Sequence, residues 1–323
     1  MLEAALEEAP EVLAPELRFR QKRQLVQMLY EEADCFAWTM NDLREPAEAP
    51  PLAITVVGGP VKQRFYRLAP DDADYLQQEL RALREATLIR PSSSPWSSPT
   101  FVVRSAGHRP RKVVDYRKVN LLTVGDNYPL PDIHGIFDGL GTSTYFGTSD
   151  LKSGFLQVLV EEASVPITAF TSPYGLYDYL RAAFGLKNCP SHFMRCMDSI
   201  LDAHDIRGSV EQGGGNQMFV DDSVSHGSSF EQYLAHQRAF FQAVREKKWK
   251  VNPKKLRLGY RRVKLLGYVI GERSLRTDPA KVEAVRKLTP PANVKQLQSF
   301  LGFVNFYRRL VPRFAKPAAA LTS

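Results

Sequence analysis

The sequence predicts an α+β fold in which short strands pair through hairpins and helices pack on one side of them. Three observations carry that prediction. Short β-branched or aromatic runs recur between Gly, Pro and Ser clusters, as in 100–104, 145–151 and 265–269. Between them lie segments with apolar residues at helical spacing, such as Leu76, Leu80 and Leu83, or Leu297, Leu301 and Val304. Turn signals at Gly107 and at Tyr174-Gly175 sit midway between strand-like runs, which is the pattern of a hairpin.

In chain order, residues 1–50 read as a helical, acidic lead-in. Leu25, Met28 and Leu29 share one helical face, and Phe36 and Trp38 are candidate anchors. Pro46, Pro50 and Pro51 interrupt helix formation and mark a linker. The β-branched run 53–57 ends at Gly58-Gly59 and predicts a strand and a turn. Asp71 and Asp72 are candidate N-caps for a helix to about Leu88, stopping before Pro91. The Ser- and Pro-rich run 91–99 predicts an ordered, extended loop. Strands over 100–104 and 112–116 then present Arg104, Arg109, Arg111 and Lys112. Alternation puts Arg111 and Val113 on one face, and Lys112 and Val114 on the other.

The run 145–151 predicts a strand ending on Asp150. Ser153-Gly154-Phe155 turns away from it, and 156–160 resumes an extended pattern. Residues 167–184 predict a hairpin, and Ser191 a cap for a helix with Phe193, Met197, Ile200 and Leu201 inward. A glycine run, 213–215, leads into Met218-Phe219-Val220-Asp221-Asp222. Ser229 and Gln232 form a capping box for a helix carrying Leu234, Phe241, Val244 and Trp249. Two strands around 256–270 enclose a basic turn, with 265–269 as the second. Asp278-Pro279 and Asn293 each open a further helix.

At 323 residues the chain has room for two or three substructures. No apolar run approaches the roughly 20 residues that span a bilayer, and no basic stretch followed by an apolar core stands at the N-terminus. Cys35, Cys189 and Cys196 show no pairing pattern, which fits a reducing compartment, and the six histidines show no ligand spacing. The net charge of +8 is unevenly spread. Residues 1–50 carry 11 acidic and 5 basic side chains, a net of −6, whereas 245–276 carry 12 basic and 2 acidic, a net of +10. That asymmetry points to a polyanion at the C-terminal half. Charge alone fits a solvated basic surface equally well.

The chemistry concentrates in three carboxylates, Asp150, Asp221 and Asp222. Adjacent carboxylates with apolar flanks repel each other and lose hydration, and a divalent cation with oxygen ligands relieves both costs. A solvated Asp-Asp turn is the alternative for the pair taken alone. Strands that bring all three together could hold two ions about 4 Å apart, the arrangement for in-line phosphoryl displacement. Hairpin arginines, chiefly Arg111, supply planar, permanently charged forks for a triphosphate.

The residues resemble the reverse transcriptase of gypsy-type long-terminal-repeat retrotransposons, from about Phe36 to the last residue. The resemblance rests on Ile89-Arg90-Pro91-Ser92 through Pro99, Val114-Asp115-Tyr116-Arg117-Lys118-Val119-Asn120, Tyr128-Pro129-Leu130-Pro131 and Asp150-Leu151-Lys152-Ser153-Gly154-Phe155. It continues through Thr168-Ala169-Phe170, Phe184-Gly185-Leu186-Lys187-Asn188, Phe219-Val220-Asp221-Asp222, Leu266-Gly267-Tyr268, Ser299-Phe300-Leu301-Gly302 and Asn305-Phe306-Tyr307-Arg308-Arg309.

The resemblance implies a right-hand polymerase of fingers, palm and thumb, acting as an RNA-directed DNA polymerase that extends a primer 3′-hydroxyl. Its parts would be a connector at 1–50, fingers at 51–125 and 158–188, palm at 126–157 and 189–272, and thumb with the start of a connection at 273–323. Asp150, Asp221 and Asp222 would hold two Mg²⁺ ions, with Mn²⁺ as the alternative ion. Arg111, Leu151, Phe155, Phe184 and Gly185 would line the deoxynucleotide site, Phe155 excluding a 2′-hydroxyl. Leu266, Gly267 and Tyr268 would hold the primer end. Expected partners are an RNA or DNA template with its primer, deoxynucleotides, and ribonuclease H and integrase regions of the same polyprotein. The expected setting is a cytoplasmic virus-like particle, with the nucleus as the other location.

The chain also departs from the family's pattern. Phe219 stands where Tyr is usual, and Ile167 where Lys is common. The fingertip Arg104-Ser105-Ala106-Gly107 lacks the usual consecutive lysines. Gln212-Gly213-Gly214-Gly215-Asn216 replaces an apolar run before the carboxylates, and Ser223 replaces an apolar residue after them. Glycine weakens a strand, so this stretch predicts a damaged approach to the site. The alternative function is accordingly a decayed domain that binds nucleic acid without catalysis.

Overall fold

Thirteen strands among the described residues form three sheets. In chain order they are β1 (Ile89–Pro91), β2 (Ser98–Val103), β3 (Arg111–Val114), β4 (Tyr145–Asp150), β5 (Phe170–Ser172), β6 (Gly175–Tyr179) and β7 (Gly208–Ser209), then β8 (Gly214–Phe219), β9 (Asp222–Gly227), β10 (Arg257–Tyr260), β11 (Arg262–Leu265), β12 (Tyr268–Gly271) and β13 (Ser274–Thr277). The structure is a computed structural model. It describes residues 9–322 except 106, 108, 130, 141, 142, 210–212 and 273. Ala106 of the fingertip, Leu130 of the Tyr-Pro-Leu-Pro run and Gln212 of the glycine run therefore lie outside the described residues.

The flanking sheet has the order β1-β6-β5-β2-β3, and the central sheet the order β10-β4-β9-β8-β7. Every ladder of the central sheet is antiparallel. In the flanking sheet β2 and β5 run parallel, joining the two hairpins β2–β3 and β5–β6. A small sheet β11-β12-β13 follows towards the C-terminus.

One large core runs from Val12 to Leu258 and unites the N-terminal segment, the flanking sheet and the central sheet. Its backing for the central sheet is the helix Phe230–Glu246, which starts at the expected capping box. The Gln232 amide donates to Ser229 Oγ, and the Ser229 amide to Gln232 Oε1, each over 3.2 Å. Trp249 lies just past this helix, fully buried. A second, smaller core gathers Phe137, Phe146, Val224, Tyr268, Ile270 and Tyr307 under the C-terminal sheet.

The expected helical face of the N-terminal segment is buried in the fold, and several other local expectations are corrected. The helix Phe19–Glu31 buries Leu25, Met28 and Leu29, and ion pairs Glu31–Arg238 (2.6 Å) and Glu32–Arg245 (2.9 Å) tie its end to the central helix. Phe36 is buried against Phe241, whereas Trp38 is only half-buried. Residues 53–57 make an isolated bridge, Val56 to Thr123, in place of a strand. The 70–85 helix starts at Pro70 after Ala69, because proline's locked φ suits the first helical position; Asp71 and Asp72 fall in its first turn. The helix expected from Ser191 begins at Cys189, again with a proline in its first turn. Residues 154–157 coil into a 3₁₀ turn after Ser153, whose φ of 48° is left-handed. Leu266-Gly267 is a turn between β11 and β12, with φ of 51° and 81°, and no part of a strand.

The glycine run does not break the approach to the carboxylates. Gly214–Phe219 forms a strand paired along its whole length with β9, and at Gly214 and Gly215 also with β7. A Cβ on Gly215 would collide with the carbonyl of Arg207, and one on Gly214 with that of His226. These glycines let the β7–β8 hairpin close where side chains have no room.

Candidate active site

The central sheet brings the three carboxylates to one end. Asp150 closes β4 and opposes Asp222, the first residue of β9. Val220 and Asp221 make the turn between β8 and β9, which closes with Phe219 opposite Asp222. Val220 has a φ of 51°, a strained conformation for a β-branched residue. Its amide points to Met194 Sδ at 3.0 Å, so the 189–203 helix braces the turn from behind.

Gly154 completes the enclosure of Asp221. A Cβ there would lie 2.7 Å from Asp221 Oδ1 and 2.9 Å from the Phe193 ring, so only glycine lets the chain pass. Asp221 Oδ1 is buried and accepts no hydrogen bond. Burial, then the charges of Asp150 and Asp222, push the Asp221 carboxyl up to about 6. Burial and Asp150 raise Asp222 as well, and Lys255 opposes the shift at both. The third carboxylate is paired: Lys255 Nζ lies 2.6 Å from Asp150 Oδ2.

Oxygen donors, one of them orphaned, fit a hard divalent cation. Among the described residues, no three His, Cys, Asp or Glu side chains form a ready-made metal cage. Asp150 is engaged by Lys255 instead.

Phe155 is buried beside the carboxylates, its ring 4.9 Å from Phe184 and 5.3 Å from Phe193. Phe184 is 49% exposed, so it forms the open wall of this cluster. Gly185 follows at φ 94°, and its carbonyl accepts from Asn120 Nδ2 at 2.8 Å. Leu151 is buried in the core, beside an isolated bridge to Val251. On β3 the expected alternation is seen: Arg111 is exposed, and Lys112 turns inward. The Lys112 ammonium lies 4.1 Å from the centre of the Phe170 ring and donates to Tyr179 Oη at 2.5 Å, and burial lowers its pKa to about 7.

The three primer-end candidates divide. Leu266 and Gly267 form the turn, but the Tyr268 side chain is fully buried. Its ring packs on Phe137 and Tyr307, and its hydroxyl donates to the Phe306 carbonyl at 2.6 Å. Tyr268 thus anchors the C-terminal helices to the small sheet and presents no side chain outward.

Lys255, Met194 and Gly154 touch the carboxylates or their turn and are not assigned to the site by sequence. Lys255 stood only in a basic run, and its partner lies 105 residues away, a separation no local pattern reveals. Gly154 carried a signal, its place between Asp150 and Phe155.

A family model described as reverse transcriptase (RNA-dependent DNA polymerase) matches residues 104–270, which contain all three carboxylates. The chain belongs to the reverse transcriptase family. Among its relatives is the retrovirus-related Pol polyprotein from transposon opus of Drosophila melanogaster, 33% identical over 269 residues, covering 82% of this chain and 26% of the relative. That from transposon gypsy of the same fly is 32% identical over 274 residues, covering 83% and 26%. The chain spans about a quarter of the length of these transposon polyproteins. A foamy viral protease-reverse transcriptase in complex with double-stranded DNA superposes with a TM-score of 0.86 at 24% identity, covering 99% of this chain and 54% of that one. Another, with an RNA/DNA hybrid, gives 0.83 at 24%, covering 99% and 42%. The fold is the right-hand polymerase fold. Reverse transcriptases use divalent metal ions, and no helix among the described residues is long and apolar enough to cross a membrane.

Proposed function

We propose that this reverse transcriptase domain extends a primer 3′-hydroxyl with deoxynucleoside triphosphates on an RNA template. The observation that carries the proposal is the convergence of Asp150, Asp221 and Asp222 at one end of the central sheet, with an orphaned Asp221 oxygen among them. Asp150, Asp221 and Asp222 would hold two Mg²⁺ ions, or Mn²⁺ in their place. When bound, such ions lower the pKa of an attacking hydroxyl and neutralise charge on the phosphoryl group.

The remaining roles belong to the chain's own side chains. Arg111, exposed on β3, grips the triphosphate as a planar fork. Phe155 forms a rigid floor under the sugar, because Phe184 and Phe193 hold its ring from two sides. Such a floor leaves no space for a 2′-hydroxyl. Phe184, Gly185 and the backbone at Leu151 line the same pocket. The Leu266-Gly267 turn meets the primer end, and Tyr268 supports that turn from the core. The basic 245–276 stretch follows the phosphate backbone. The foamy viral relatives' complexes with double-stranded DNA and with an RNA/DNA hybrid support a template-primer duplex as the partner.

The division into fingers at 51–125 and 158–188, palm at 126–157 and 189–272, and thumb from 273 follows from the same reading. The packing of residues 9–50 on the central helix supports counting them with the palm. Ribonuclease H and integrase regions of a common polyprotein, and a cytoplasmic virus-like particle, complete the proposal.

The test is incorporation on an RNA template with a DNA primer. The domain should add deoxynucleotides and reject ribonucleotides, and Phe155→Val should admit ribonucleotides at least tenfold better. Template-primer binding without any extension would favour a nucleic-acid-binding domain without catalysis.

A further inference from the structure

The Lys255 ammonium reaches the carboxylate cluster from a pinned segment. The Asn252 amide donates to the Asp150 carbonyl at 2.8 Å, and Asn252 Oδ1 accepts from the Lys254 amide at 3.2 Å, which shapes the turn Pro253–Lys255. From that turn Lys255 Nζ lies 2.6 Å from Asp150 Oδ2. Its charge also reaches Asp221 and Asp222. Lys152, half-buried, feels the charges of Lys254, Lys255 and Asp150. Meanwhile Asp221 Oδ1 has no partner.

We propose that Lys255 is a built-in counter-ion, whose ammonium takes a cation's place on Asp150 in the metal-free domain and is expelled when a divalent ion enters. The inference rests on the reading of the three carboxylates as cation ligands. Ion entry is then an exchange of one cation for another. The Lys255 side chain is 60% exposed, so solvent receives it without rearrangement of the fold. In the metal-free domain the lysine limits repulsion among three carboxylates that share one sheet end. It also weakens the first divalent ion's hold, because the ion must displace it.

Mn²⁺ alone, titrated into the domain and followed by the electron paramagnetic resonance signal of the free ion, tests this without any turnover. Wild type, Lys255→Met, Lys255→Arg and Asp221→Asn are compared at one pH and salt concentration. Lys255→Met should bind Mn²⁺ about fivefold more tightly, the factor carried by roughly 1 kcal/mol of exposed ion pair. Lys255→Arg, which keeps the charge, should stay near wild type. In chelator Lys255→Met should melt below wild type, and Mn²⁺ should raise its melting temperature by more. Unchanged or weaker Mn²⁺ binding in Lys255→Met overturns the proposal. Mn²⁺ binding that Asp221→Asn leaves intact instead overturns the reading of the carboxylates, and the Lys255 proposal with it.

Discussion

Asp150 and Asp222 are the terminal pair of the β4–β9 ladder, so two carboxylates leave adjacent strands side by side. Directly opposed like charges destabilise a sheet, and here Asp221 adds a third from the neighbouring turn. The arrangement costs stability at the sheet end where divalent ions are proposed to bind.

That cost has a pH signature. The Asp221 carboxyl is pushed from an ordinary 3.8 up to about 6, so the folded state holds its proton more tightly than the unfolded chain does. Its contribution to stability is present below about pH 4 and is lost as pH rises to about 6. Allowing for solvent screening, the loss is on the order of 1–2 kcal/mol. Denaturant unfolding in chelator at pH 4.5 and pH 7 should show this difference in wild type and not in Asp221→Asn. At pH 7 the Asn variant should be the more stable of the two.

Gly154→Ala should separate activity from folding. The added methyl group would stand 2.7 Å from Asp221 Oδ1, and the carboxylate must move to admit it. Primer extension should fall at least tenfold, while the circular dichroism spectrum stays that of the wild type.

Gly215→Ala should destabilise the domain, although alanine is the better strand residue by propensity. Its Cβ would meet the Arg207 carbonyl across the hairpin. A loss of about 1–3 kcal/mol is expected, as for overpacking elsewhere. A urea midpoint equal to or above wild type would mean that the glycines weaken the strand after all.

Tyr268→Phe removes the hydroxyl that donates to the Phe306 carbonyl at 2.6 Å and leaves the ring in place. The expected cost is about 1 kcal/mol, read as faster amide exchange in and after the helix Val294–Asn305.

The parts legible in the sequence were those written in local patterns. The Ser229–Gln232 capping box, the Asn293 cap, the strand ending at Asp150 and the alternation of Arg111 and Lys112 are all seen in the structure. The parts that were not legible depend on contacts between distant segments. Nothing local in the sequence pairs Glu31 and Glu32 with Arg238 and Arg245 of the central helix. Tyr268 is expected at the primer end, whereas its burial is decided by Phe137 and Tyr307. Glycines 214 and 215 read as damage because propensity ignores how closely β7 and β9 approach. The pairing of Lys255 with Asp150 was hidden in the same way.

The central claim is that the three carboxylates form the catalytic site of an RNA-directed DNA polymerase. Single-nucleotide extension of a DNA primer on an RNA template, in Mg²⁺, compares wild type with Asp150→Asn and Asp221→Asn most directly. Wild type should extend the primer, chelation should abolish extension, and each variant should fall at least a hundredfold with template-primer binding retained. Extension by either variant at the wild-type rate would contradict it.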